Sequence, residues 1–98
     1  MTRIELESPL EKRCVQRVEA LGGVALKLVL LGVRGFLDRT VILPKRVIFF
    51  AEFKRKKLGV VSAQQAVWRR ILTLLGFGVY MIETDEQFEA ALEREMGR

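Results

Sequence analysis

Histidine is absent from the 98 residues, and cysteine occurs once, at Cys14. Without histidine, His-ligated zinc sites, histidine general bases and Ser-His-Asp triads are excluded. A lone cysteine forbids an intrachain disulfide and fits a reducing compartment. Long apolar runs are missing too. The longest, Val24 to Val33, is broken by Lys27 and is too short to span a membrane. Met1 to Glu7 is polar and lacks the apolar core of a signal peptide. The chain is therefore expected inside a cell, not secreted and not in a membrane. Any catalysis left to it runs on carboxylates, lysine and a hard metal ion.

What is present has a globular balance: half the residues are hydrophobic and 30% are charged. The length implies one domain, residues 1–98, with a modest core. Lys and Arg number 17 against 12 Asp and Glu, a net charge of +5. That excess favours a polyanionic partner, nucleic acid first.

Along the chain, Ser8-Pro9-Leu10-Glu11 reads as a helix start, with Ser8 as N-cap, Pro9 first and Glu11 as capping-box partner. The helix should end at Gly22-Gly23. Leu10, Cys14, Val15, Val18 and Leu21 form its apolar arc, and Glu11 falls inside that arc. Strands are predicted over Val24 to Leu31, Phe36 to Leu43 and Val47 to Lys54, the last two joined as a hairpin through Pro44-Lys45-Arg46. Ser62 with Gln65 opens a second helix with a wide apolar face that includes Val67, Trp68, Ile71, Leu72, Leu74 and Leu75. Phe77 to Ile82 reads as a strand buried on both faces, and Thr84 with Gln87 caps a final helix. The expected order is α-β-β-β-α-β-α, a single α/β layer domain.

The third strand carries an oddity. Its apolar run admits Glu52 and Lys54, which alternation places on one face about 7 Å apart. Asp38 interrupts the preceding strand in the same way. Carboxylates in an apolar setting are costly unless paired or bound to metal. In a hairpin the two converge and offer oxygen ligands to Mg²⁺ or Mn²⁺, with the Phe53 carbonyl as a further ligand and Lys54 beside the attacking water. Surface ion pairs with Arg39 and Arg55 would explain the same residues without function. Glu11 and Gln65 fit either helix capping or the site, and spacing does not choose between Gln64 and Gln65. Arg34, Arg39, Lys45, Arg46, Arg55, Lys56, Lys57, Arg69 and Arg70 can supply DNA phosphate contacts, with Arg34, Arg39, Arg55, Lys56 and Lys57 the foremost candidates. Trp68 reads as core rather than as a base-stacking platform.

Taken in order, Glu11, then Gly35, Asp38 and Arg39, then Glu52 and Lys54, then Ser62, Gln65 and Trp68 resemble the VRR-NUC family. These are virus-type replication-repair nucleases of the PD-(D/E)xK superfamily, and the resemblance runs from about Ser8 to Met96. It selects Gln65 over Gln64 and Glu11 over Glu7. One position departs: Leu37 stands where the family commonly has proline. The resemblance implies a restriction-endonuclease-like core, a mixed central sheet flanked by helices, and Mg²⁺- or Mn²⁺-dependent phosphodiester hydrolysis. In that setting Glu11 supports a metal-bound water or a second ion, and Gln65 orients Lys54 or the scissile phosphate. Small stand-alone members, mostly viral, are similar to Holliday-junction resolvases and act as homodimers on four-way DNA within the host cell. A non-catalytic nucleic-acid-binding module and a monomeric flap or linear-DNA nuclease are the other readings of these residues.

Overall fold

The computed structural model describes residues 8–33, 35–54 and 63–97. Its elements are α1 (Pro9–Ala20), β1 (Val24–Leu26), β2 (Arg39–Leu43), β3 (Val47–Phe53), α2 (Ala63–Leu74), β4 (Gly78–Ile82) and α3 (Asp85–Glu95). The order is the one expected. The sheet runs β1-β2-β3-β4, antiparallel across the first two pairs and parallel between β3 and β4.

Local chemistry sets the helix ends. The Ser8 hydroxyl accepts the Glu11 backbone N–H, and Pro9 fills the first turn, where no donor is needed. The far end closes with Gly22 N–H on the Glu19 carbonyl and Gly23 N–H on the Val18 carbonyl. This pair of hydrogen bonds requires a left-handed residue, and Gly22 supplies it at φ 89°. A Cβ on Gly23 would collide with the Ile42 carbonyl, so this glycine lets α1 turn directly into β1. Thr84 caps α3 by accepting from Gln87. Ser62, the expected cap of α2, lies outside the described residues.

Strand alternation divides the molecule into two apolar layers. Val41, Leu43, Phe49, Ala51 and Phe53 face α1 and α3, where they meet Cys14, Val18, Phe88, Ala91 and Leu92. Phe49 is the centre of this layer, with its ring against Tyr80 and Phe88. Burial pushes the Cys14 thiol up to about 12, so it is an inert core residue here. On the other face, Phe50 packs with Leu37 and Leu72, flanked by Phe36, Ile48 and Val79. Two ion pairs, Arg13–Asp85 and Arg17–Glu89, tie α1 to α3 along their outer edge.

Three expectations are corrected. The first strand stops at Leu26 and the second starts only at Arg39, the β1–β2 ladder running from Val24↔Ile42 to Leu26↔Thr40. β4 is a half-buried edge strand rather than one buried on both faces. The apolar residues of α2 reach too far round the helix for one contact. Trp68 and Leu72 turn towards the protein, while Val67, Ile71 and Leu74 are left exposed.

Candidate active site

The end of the β2–β3 hairpin builds the site. Arg39 pairs with Ala51, so Asp38 precedes the ladder by one residue, level with Glu52. Where β2 would continue, the Asp38 carboxylate replaces the backbone: its Oδ2 accepts the Phe53 N–H at 2.7 Å. A residue's N–H and C=O leave a strand by the same edge, so the Phe53 carbonyl also projects to the Asp38 side. Leu37, at the departure from the family pattern, is buried against Phe50 and Leu72 and anchors the approach to Asp38.

Glu52 extends from the α2 face of β3 and is only 3% exposed. Among the described residues its Oε1 has no hydrogen-bond partner, and neither has Thr40 Oγ1, which hangs from the same face of the neighbouring strand. Burial raises the proton affinity of Glu52 above the ordinary carboxylate value, and the Asp38 charge adds to this. The Arg69 guanidinium, 3.5 Å from Oε1, opposes it. A buried carboxylate with an open oxygen, a second carboxylate nearby and a main-chain carbonyl on the same side make a hard-oxygen set that fits Mg²⁺ or Mn²⁺. Among the described residues no three Asp, Glu or Cys side chains converge. The protein's contribution would thus be two carboxylates and backbone oxygen.

α2 covers this set. Gln65 donates to the Phe36 carbonyl at 3.3 Å and approaches Asp38 Oδ1 at 3.5 Å. Gln64 is exposed, so the geometry selects Gln65. Trp68 is half-buried with its ring edge-on to Phe36, in agreement with a core role. Lys54 sits at the strand exit. Its backbone N–H joins the Ile82 carbonyl, and its ammonium meets Glu83 at 3.1 Å with both side chains about half exposed.

Two expected members are placed elsewhere. Arg39, expected to contact DNA, is 8% exposed and donates to Glu11 Oε2 at 2.8 Å and to the Ala25 carbonyl at 2.9 Å. The alternation that sends Glu52 towards α2 sends Arg39 towards α1, so its guanidinium links α1, β1 and β2 instead of facing solvent. Glu11, expected to reach a metal-bound water, is fully buried on that same α1 side as the partner of Arg39. Its place in the apolar arc reflects this ion pair, which steadies the residue following Asp38. Arg34, Arg55, Lys56 and Lys57 lie outside the described residues.

Sequence reasoning did not single out Glu83 or the Arg69–Glu52 contact. Glu83 reaches Lys54 only because β3 and β4 run parallel in the register Phe53↔Ile82. Arg69 reaches Glu52 because α2 is rotated away from the orientation its apolar residues suggest.

An aspartate opening one strand, Glu-x-Lys ending its antiparallel neighbour and a helix glutamine above them define a nuclease domain of the PD-(D/E)xK kind. A solved VRR_NUC domain superposes with a TM-score of 0.76 at 31% identity, covering 89% of this chain and 94% of that one. The chain belongs to the VRR-NUC family. It is also 44% identical over 52 residues to "Putative nuclease p44" of Acyrthosiphon pisum secondary endosymbiont phage 1, over 53% of this chain and 56% of that protein. No family-wide sequence model matches the chain.

Proposed function

We propose that this protein is a divalent-metal-dependent, structure-selective DNA endonuclease that cuts branched DNA, four-way junctions above all, as a homodimer. The observation that carries the reading is the buried Glu52 Oε1, without a hydrogen bond among the described residues, beside Asp38 at the strand ends of a VRR-NUC fold.

Asp38, Glu52 and the Phe53 carbonyl would hold Mg²⁺ or Mn²⁺, which when bound supplies Lewis-acid polarisation of the phosphate and a more acidic water. The remaining groups do the positioning. The Phe53 N–H and Gln65 fix the two Asp38 oxygens. Lys54 is held by Glu83 in a half-exposed pair, a weak attachment that leaves its ammonium available to orient the attacking water and to offset charge on the phosphate. Arg34, Arg55, Lys56 and Lys57 are proposed to grip the backbone of the strand that is cut. A four-way junction needs two symmetric nicks and each chain has one site, so a two-fold dimer matches the symmetry of the substrate.

Labelled four-way junction, flap and linear duplex, each incubated with Mg²⁺ or Mn²⁺ and with chelator, test the proposal. Paired, symmetric, chelator-sensitive cuts in the junction are expected. Salt-sensitive binding with no product under any metal would replace the enzyme with a binding module. Cutting of flap or linear DNA in preference, by a monomer, would remove junction selectivity and the dimer.

A further inference from the structure

Among the basic residues able to contact DNA phosphate, Arg69 differs in lying against a carboxylate of the candidate metal site. It projects from α2 to within 3.5 Å of Glu52 Oε1, with its side chain 29% exposed. That buried oxygen has no hydrogen-bond partner among the described residues. The guanidinium is thus a counter-charge placed against the oxygen offered to a metal, without the hydrogen bond that would hold it fast. It also stays partly open to solvent, on the side where Gln65 of the same helix approaches Asp38.

A divalent cation and a guanidinium cannot both lie against one carboxylate oxygen without strong repulsion in a poorly hydrated site. We propose that Arg69 is the resident counter-ion of the metal site: it neutralises Glu52 while no divalent cation is bound, and is displaced towards a DNA phosphate when one binds. The inference rests on the metal-site reading and extends it to a linkage. Metal releases a DNA-binding arginine, so metal strengthens DNA binding, and by reciprocity DNA strengthens metal binding. A planar, five-donor guanidinium suits both employments, since carboxylate and phosphate present the same bidentate face.

The test uses the whole chain, with Ca²⁺ as the cation and a fluorescent DNA duplex as the nucleic acid. Calorimetry without DNA measures Ca²⁺ affinity for wild type, Arg69→Gln, Arg69→Lys and Glu52→Gln. Fluorescence anisotropy measures DNA affinity with Ca²⁺ and with chelator, across salt concentrations. Arg69→Gln is expected to bind Ca²⁺ about tenfold more tightly, because the competing charge is gone, while Arg69→Lys stays near wild type. In chelator, Arg69→Gln should match the wild-type DNA affinity. With Ca²⁺ it should lose the gain that wild type shows, and its salt slope should fall by about 0.9, one phosphate contact. Arg69→Lys also guards against misfolding, since a folded, charge-retaining variant that behaves like Arg69→Gln overturns the charge argument. Ca²⁺ affinity unchanged or weakened in Arg69→Gln, with wild-type binding intact and lost in Glu52→Gln, overturns the inference and leaves the metal site standing. Absence of Ca²⁺ binding to wild type overturns both.

Discussion

Glu52 shows most clearly how one residue is shaped for the site at the expense of the fold. Burial and the Asp38 charge raise its proton affinity above the ordinary value of 4.5. In the folded chain the proton is therefore held to higher pH than in the unfolded chain. Ionising Glu52 disfavours folding, so the metal-free protein loses stability as pH rises from the unfolded value through the raised folded one. Glu52→Gln removes this penalty. Urea unfolding in chelator should show the variant at least as stable as wild type at neutral pH, with any excess disappearing on acidification. Mn²⁺ binding needs the ionised form, so its affinity should decline on acidification while ordinary exposed carboxylates are still charged.

Glu11 and Arg39 form the opposite case, a buried pair that serves the fold. Removing one partner leaves a buried charge unbalanced, a loss of about 3–5 kcal/mol. Glu11→Ala should show that loss in denaturant, and the double change Glu11→Leu with Arg39→Met should recover most of it. The sequence showed that Glu11 lies in the apolar arc of its helix. It did not show the partner, because that depends on which face of β2 turns towards α1.

At the scale of elements, α2 acts as the clamp on the site. Gln65 spans from the Phe36 carbonyl to Asp38, holding the approach to β2 and the carboxylate together. Outer contacts of this type typically matter by about 10–100-fold in activity or metal affinity. Gln65→Ala is expected to slow cleavage within that range in single-turnover assays, with DNA affinity nearly unchanged. A loss confined to DNA affinity would assign Gln65 to the phosphate backbone instead.

Element order, the hairpin and the helix caps at Ser8 and Thr84 were legible, because period, turn residues and capping spacing are local. So was the convergence of Asp38 and Glu52, which follows from alternation once the hairpin is granted. The rotation of α2 was not. Apolar residues occupy so much of its circumference that periodicity allows several faces to be buried. The edge position of β4 was hidden as well, since a parallel pairing has no local turn to announce it.

At the scale of the whole molecule, the two faces of the sheet are covered unequally. Among the described residues, α1 and α3 share one face and α2 lies over the other. Val24, Leu26 and Ile42 are exposed on the sheet, as are Val67, Ile71 and Leu74 on the helix, with Leu74 at 74%. Exposed apolar side chains of this kind suit the dimer proposed for junction cutting. Leu74 is largely exposed, so Leu74→Glu should leave the domain folded. Sedimentation should give twice the chain mass for wild type and the single-chain mass for the variant, and paired junction cuts should give way to single nicks. A wild-type protein of single-chain mass that still makes paired cuts would contradict the dimer.

On the proposed function, the Asp38–Glu52 end of the hairpin hydrolyses DNA with a divalent metal. The most direct measurement compares cleavage of labelled four-way junction by wild type and Glu52→Gln, in Mg²⁺ and in chelator, alongside their unfolding curves. Wild type should give metal-dependent product, and a folded, no less stable Glu52→Gln should give none above background. Wild-type cleavage that persists in chelator, or a folded Glu52→Gln that cuts at the wild-type rate, would contradict it.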